Sequence, residues 1–313
     1  MAEGHSAEGI SPAASQPLPS ADVREAVAWA TARLVASGAD VPRLASELLA
    51  CRAFGLTRLE LLTRRDQRPG LERLAAFSRL VERREAGEPT AYILGQREFF
   101  GLVFAVTPDV LIPRPETELI VEQALRLFQS GAPLAFADFG TGSGALAVTI
   151  AHEFPNAHGL AVDISPAALD VARSNARFNG VEERLEFRLA DFMRMSLPPA
   201  SLDLVVANPP YVTEDEHAAL AREVRDFEPR LALVSPECGL AHLRGLLPVA
   251  AAALRPGGML LCELGCGQGA RALSLAADAA PGLCDAVILK DHAGLDRILL
   301  ASRAKEPVGV GVV

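Results

Sequence analysis

Residues 134–145 read Leu134-Ala135-Phe136-Ala137-Asp138-Phe139-Gly140-Thr141-Gly142-Ser143-Gly144-Ala145. An apolar run of strand length passes an acid, crosses three alternating glycines and enters the helical pattern Ala145–Phe154, which predicts strand, tight turn and helix. Glycines here let the backbone turn sharply and approach a ligand that side chains would exclude. The same rhythm continues outward. Strands are expected at Leu134–Phe139, Gly159–Asp163, Leu185–Leu189, Leu202–Ala207, Met259–Leu264, Ala286–Leu289 and Arg297–Ala301, with helical stretches between most of them. That alternation argues for an α/β unit whose mostly parallel sheet is covered on both faces. One intervening helix is well marked: Ser165 can cap it, Pro166 fits its first position, and Asn179-Gly180 follows its end.

The N-terminal side has another character. Residues 1–21 are rich in Ala, Ser, Pro and Gly without periodicity and are expected to form a disordered tail, and residues 304–313 are expected to form a C-terminal tail. From Asp22 the spacing of Val23, Ala26, Val27, Ala30 and Leu34 predicts a helix stopped near Gly38, followed by helices at about 43–53, 57–65 and 70–86. Residues 22–87 thus read as a small helical bundle. Gly87, Glu88 and Pro89 end the pattern, and Tyr92 to Pro113 suggests an extended or hairpin segment within a linker over residues 88–115. The second domain is expected over residues 116–303.

Composition limits the possible roles. The 313 residues are half hydrophobic and 22% charged, which excludes wholesale disorder and points to a soluble globular protein. Thirty basic against 39 acidic residues leave a formal charge of −9, an unfavourable balance for a chain that lives by phosphate attraction to a long duplex. The split is uneven: residues 21–97 carry 13 arginines against 10 acids, and the remainder 17 basic against 29 acidic residues. The apolar stretch Gly245–Leu254 is broken by Pro248 and is too short to span a membrane, which takes roughly 18 residues. Glu3 and Glu8 stand where a secretory signal would be basic, so a cytoplasmic location is expected. Cys262 and Cys266 form a lone pair among five cysteines, read as buried thiols with no metal site.

The candidate site residues follow the strands. Gly140, Thr141, Gly142, Ser143 and Gly144 would hold a nucleotide-like cofactor, and Asp163 at the next strand end can accept both ribose hydroxyls. Those features alone fit NAD and S-adenosylmethionine equally. Asp191-Phe192 offers a carboxylate for an exocyclic adenine amine and a ring to lie against the base. The decisive element is Asn208-Pro209-Pro210-Tyr211. Two consecutive prolines fix the backbone and remove two N–H donors, while Asn208 supplies an amide acceptor. The arrangement suits a planar NH2 group held by the Asn208 oxygen and the Pro209 carbonyl, with Tyr211 stacked over it. A tight Pro-Pro turn without a ligand is the plain alternative.

Asp-x-Gly-x-Gly-x-Gly followed by Asn-Pro-Pro-Tyr resembles the amino-methylating branch of class I S-adenosylmethionine-dependent methyltransferases. Residues Glu88–Gly101, Glu-Pro-Thr-Ala-Tyr-Ile-Leu-Gly-Gln-Arg-Glu-Phe-Phe-Gly, and Leu111–Glu118, Leu-Ile-Pro-Arg-Pro-Glu-Thr-Glu, narrow this. They resemble the peptide chain release factor glutamine N5-methyltransferase family, often called HemK or PrmC, over roughly residues 22–303. The resemblance implies a seven-stranded Rossmann-like class I methyltransferase sheet with a small N-terminal helical-bundle domain joined by a β-hairpin linker. It implies methylation of the glutamine side-chain amide in the Gly-Gly-Gln motif of bacterial release factors, with S-adenosyl-L-methionine as cofactor. Residue by residue, Gly140–Gly144 and Asp163 would bind the cofactor, with Asp191, Phe192 and Asn208 beside it. Asn208, Pro209, Pro210 and Tyr211 would hold the glutamine, Asn208, Pro209 and Tyr211 forming the catalytic group, and Phe99 or Phe100 would wall the substrate pocket. Phe192 stands where members often carry Trp, and Ser235-Pro236-Glu237-Cys238 departs from the usual acidic, Gly-rich turn.

An amide proton is too weakly acidic for a side-chain base to remove at neutral pH, so orientation and electrostatics are expected to carry the reaction rather than a proton relay. The six histidines lie in no motif and read as surface or packing residues. Three rival readings differ in substrate. A nucleic-acid adenine methyltransferase would use the same receptor on a flipped base, but the acidic balance and the lack of a target-recognition domain oppose it, and no direct nucleic-acid substrate is expected. A methyltransferase acting on a ribosomal-protein glutamine is the nearer rival. In an NAD-dependent dehydrogenase, Asn208–Tyr211 would have no task. A glutamine pocket cannot tell one protein from another, so residues 22–87 are expected to dock the body of the release factor.

Overall fold

β3 (Leu134–Phe139) is the third strand of a seven-stranded sheet and shows how the sequence builds it. Leu134 and Phe136 point into one hydrophobic layer, and Ala137 and Phe139 into the other, so the strand is apolar except at Asp138 because both faces are covered. The computed structural model describes residues 19–305, which divide into two compact units between Gly95 and Gln96.

The first unit is helical. Asp22 caps the helix Val23–Ala36 by accepting the Glu25 N–H at 2.8 Å, while the Glu25 carboxylate accepts the Asp22 N–H at 3.0 Å. Helices Pro42–Phe54, Arg58–Thr63 and Leu71–Glu85 follow, close to the predicted ranges. Phe77 packs against Trp29 and Phe54, with ring centroids 6.1 and 5.1 Å apart. Two expectations change. Ala21, assigned to the tail, is buried in this core, and Thr90–Leu94, read partly as extended linker, is a short helix whose Ile93 joins the same core. The rest of the expected tails, residues 1–18 and 306–313, lies outside the described residues.

The second unit opens with the hairpin β1 (Gln96–Phe99) and β2 (Leu102–Ala105), paired antiparallel. It is fastened to the helix Pro166–Phe178: the Asn175 side chain accepts the Ala105 N–H at 2.7 Å and donates to the Ala105 and Ser143 carbonyls. After β3 come β4 (Ala157–Asp163), β5 (Leu185–Leu189), β6 (Leu202–Ala207), β7 (Leu254–Glu263), β8 (Leu283–Lys290) and β9 (Asp296–Arg303), in the order β5-β4-β3-β6-β7-β9-β8. The first five strands in that order are parallel, whereas β9 runs antiparallel to both β7 and β8. The C-terminal ends of β3, β4 and β6 therefore share one edge of the sheet, where ligands bind in doubly wound folds. Among the described residues, no helix is long and apolar enough to cross a membrane.

Candidate active site

The glycine turn after β3 is bent back onto β4. The N–H groups of Gly140 and Thr141 both donate to the Val162 carbonyl, and the Gly142 N–H donates to Asp163 Oδ2 at 2.9 Å. Gly140 and Gly142 have φ of +75° and +54°, and a Cβ added to either would meet nothing within 4 Å. Their open sides face a cavity of about 320 Å³. Gly144 serves packing instead: a Cβ there would press on Ala172 at 3.1 Å, and the residue does not line the cavity.

Four carboxylates border this space, Asp109 on the 108–114 segment and three at the strand ends. Asp138 is buried; its Oδ2 accepts from Thr141 Oγ1 at 2.6 Å and from the Ala147 N–H at 3.1 Å, and its Oδ1 has no partner. Burial pushes its carboxyl up to about 7 against those two hydrogen bonds. Asp163 accepts the Ser165 N–H on its other oxygen at 2.9 Å. Burial raises its pKa too, opposed by backbone donors at Ser165, Gly142 and Ile164. Asp191 caps the short turn Phe192–Arg194 by accepting the Met193 N–H at 3.0 Å. Phe192 is wedged between Phe139 and His242, at centroid distances of 5.8 and 6.3 Å.

Asn208 follows β6 directly and lines the same cavity. Its Nδ2 donates to Thr117 Oγ1 at 3.0 Å, Thr117 donates to Glu263 Oε2 at 2.6 Å, and Tyr211 donates to Glu263 Oε1 at 3.1 Å. Burial first, and the Glu263 charge second, push the Tyr211 phenol well above its ordinary value, which keeps it a donor. The Tyr211 carbonyl accepts from Gln268 Nε2 at 3.0 Å, fixing the backbone after the two prolines. Buried Glu228 accepts the Ile112 N–H at 3.2 Å and Arg114 Nη2 at 2.5 Å. That clamp joins the segments 108–114 and 229–232, both of which face the cavity.

The cavity brings together Gly140, Thr141, Gly142, Ser143, Asp163, Asp191, Phe192, Asn208 and Pro210. It is not lined by Gly144, Pro209, Tyr211, Phe99 or Phe100. Phe99 is instead buried edge-on against Phe104, and Phe100 sits at φ +50° in the hairpin turn with its N–H donated to Glu118. The turn requires this conformation and aims both rings elsewhere. The Tyr211 ring, expected to stack over the substrate, is engaged through its hydroxyl with Glu263. His242 corrects the view of the histidines: it lines the cavity, and burial holds its imidazole below the ordinary value despite the facing Asp191. No motif marks it. Thr117 and Arg114, also missed as site residues, lie inside the Leu111–Glu118 run, the signal that could have found them. The cysteines differ as well, since Cys262 is buried while Cys238 and Cys266 are exposed.

Residues 25–95 match the PrmC N-terminal domain family, and residues 136–227 match a methyltransferase domain family. The release factor glutamine methyltransferase of Nitratidesulfovibrio vulgaris is 47% identical over 271 residues, covering 87% of this chain and 92% of that protein. The chain belongs to the release factor glutamine methyltransferase family. The family member of Moorella thermoacetica is 43% identical over 91% of this chain and 99% of its own length. The fold reaches further: the hMettl16 catalytic domain, solved in complex with a MAT2A 3′UTR hairpin, superposes with a TM-score of 0.54 at 16% identity, covering 72% of this chain and 82% of that one.

Proposed function

We infer that this enzyme methylates the side-chain amide nitrogen of the glutamine in the Gly-Gly-Gln motif of bacterial peptide chain release factors, with S-adenosyl-L-methionine as methyl donor. The observation that carries it is the single cavity onto which the glycine turn and Asn208 both open, in a chain of this family. Such a substrate puts the enzyme in the cytoplasm.

The residues present fit that cofactor. Space stands open beside Gly140 and Gly142, and buried Asp138 keeps an unpartnered oxygen. Asp138, Asp163 and Asp191 make the border acidic, as a ligand bearing a sulfonium and an ammonium requires. Gly140–Ser143 would cradle it, Asp163 would take the ribose hydroxyls, and Asp191 with Phe192 would meet the base. When bound, it supplies an electrophilic methyl group.

What the chain itself does is hold the nucleophile. Asn208 Oδ1, on the cavity wall, and the Pro209 carbonyl, next to it in the chain but outside the cavity lining, would accept the two N–H bonds of the glutamine amide, leaving the face of the nitrogen open. As positive charge develops there, the two acceptors stabilise it until a proton is shed. Pro210 closes the floor of the receptor and the Arg114–Glu228 clamp keeps its wall in place. The helical bundle, with its arginines and the exposed Leu59 and Leu62, would dock the body of the release factor.

Radiolabelled methyl transfer to intact release factor, a Gly-Gly-Gln peptide, a ribosomal protein fraction, DNA and RNA, measured side by side, tests this. Intact release factor is expected to be the best substrate, and Asn208→Ala to abolish most transfer while cofactor affinity stays within about twofold. Faster methylation of nucleic acid or of a ribosomal protein overturns the assignment.

A further inference from the structure

Asn208 carries a carboxamide whose two ends are nearly alike in shape and opposite in hydrogen bonding. With its oxygen toward the cavity it accepts from a substrate NH2; with its nitrogen there, two donors would oppose each other. We propose that Thr117 and Glu263 act as positioning residues that fix which end of Asn208 faces the substrate nitrogen. This rests on the reading of Asn208 as an acceptor for that nitrogen.

With Glu263 ionised beside the Arg297 guanidinium, the chain of hydrogen bonds has only one direction. Both oxygens of Glu263 are occupied by hydroxyl donors, Thr117 at 2.6 Å and Tyr211 at 3.1 Å. A carboxylate accepts only, so Thr117 must spend its single proton on Glu263. Its oxygen then has only lone pairs to offer, and the Asn208 group 3.0 Å away must be the NH2 end. Oδ1 is thereby turned to the other side, toward the cavity that Asn208 lines. The arrangement closes on itself, because Tyr211 lies three residues after Asn208 on the same rigid Pro-Pro segment.

Placement supports the role. Thr117 and Glu263 are both buried, and each comes from a different element: Thr117 from the turn Pro115–Thr117, Glu263 from the end of β7 beside β6. A carboxylate buried between two strand ends is costly unless its acceptors are used. Burial pushes its pKa up, the Thr117 and Tyr211 hydroxyls and the Arg297 guanidinium oppose that, and Glu116 adds to it. The Leu111–Glu118 run thus contains a threonine, itself on the cavity wall, whose specific task is to hold Asn208.

The test uses the full chain with the substitutions Thr117→Val, Thr117→Ser and Glu263→Met, with Asn208→Ala as reference. Valine keeps the threonine shape without the hydroxyl, serine keeps the hydroxyl, and methionine keeps the glutamate length without an acceptor. Steady-state methylation of intact release factor gives kcat and KM, calorimetry gives the affinity for S-adenosyl-L-homocysteine, and thermal melting reports folding. T117V and E263M are expected to lose kcat on the order of 10- to 100-fold, less than the roughly 100- to 1000-fold seen when a charge-stabilising group itself is removed. KM and cofactor affinity should stay within about twofold, and T117S should restore most of the turnover. Wild-type kcat in T117V, or a T117S loss as large as that of T117V, overturns the proposal. If T117V melts below the assay temperature, E263M decides by the same measures, and wild-type kcat there overturns it equally. Full activity in N208A would instead overturn the acceptor reading beneath it, so the two failures are distinct.

Discussion

Asp163 Oδ2 accepts the Gly142 N–H at 2.9 Å, tying the end of β4 to the middle of the glycine turn. The carboxylate proposed for the ribose is therefore also the strut that shapes the cradle. Asp163→Ala should weaken S-adenosyl-L-methionine binding by about 1–3 kcal/mol, the range for a hydrogen bond to a charged group. Because the strut is lost as well, amide exchange at Gly142 should quicken. Calorimetry and hydrogen exchange check the two effects together, and unchanged affinity in a folded variant would remove Asp163 from the site.

Asp138 makes stability depend on pH. Its carboxyl ordinarily titrates at 3.8 and is pushed up to about 7 by burial. Between roughly pH 4 and 7 the unfolded chain has released a proton that the folded chain still holds, so this group lowers stability as pH rises, by at most about 4 kcal/mol, and contributes no further slope above that window. Melting temperatures of wild type and Asp138→Asn from pH 5 to 8 provide the check. The wild type should lose ground relative to the variant across this range, and a constant separation would refute the shift.

Gly239 holds the other side of the site. It sits at φ +83°, and an added Cβ would come 2.1 Å from the Tyr211 carbonyl oxygen and 2.4 Å from Gln268 Nε2. Gly239→Ala must displace the segment that follows the two prolines as well as strain its own backbone, at a cost of about 1–3 kcal/mol. The expected outcome is a lower melting temperature together with reduced turnover on release factor. Loss of stability alone would mean that Tyr211 does not communicate with Asn208.

What could be read from sequence follows from which contacts are local. β3 and its turn were legible because a strand buried on both faces must be apolar along nearly all its length and three alternating glycines follow it directly. β7 was legible only from Met259, since Arg255-Pro256-Gly257-Gly258 reads as a turn although the strand begins at Leu254. Polar ends likewise shortened β8 and β9. In the site, cofactor-side residues come from strand ends and announce themselves by position. Thr117, Glu263 and His242 do not, because they meet Asn208 or Phe192 only after distant segments pack. Phe99 and Phe100 lie outside the cavity lining for the converse reason: an aromatic pair in a motif suggests a pocket wall, but the hairpin packs Phe99 edge-on against Phe104 and leaves Phe100 half-buried beside that core.

Substrate selection is the remaining task of the helical bundle. Leu59 and Leu62 lie three residues apart on the helix Arg58–Thr63 and are 71% and 64% exposed, a spacing that puts both on one helix face. Apolar side chains so exposed beside Arg58, Arg64, Arg65 and Arg68 suit an amphipathic, acidic protein surface better than a short peptide. The double substitution L59S/L62S removes that face without disturbing the buried core, so melting should be unchanged. Its kcat/KM on intact release factor should fall about 10-fold or more, the loss residing in KM, as truncating anchor residues of a docking site predicts. On a Gly-Gly-Gln peptide, which reaches the receptor without the bundle, the rate should match wild type. An equal loss on peptide and intact factor would assign these leucines to the fold of the enzyme, and no loss on either would remove them from the docking surface.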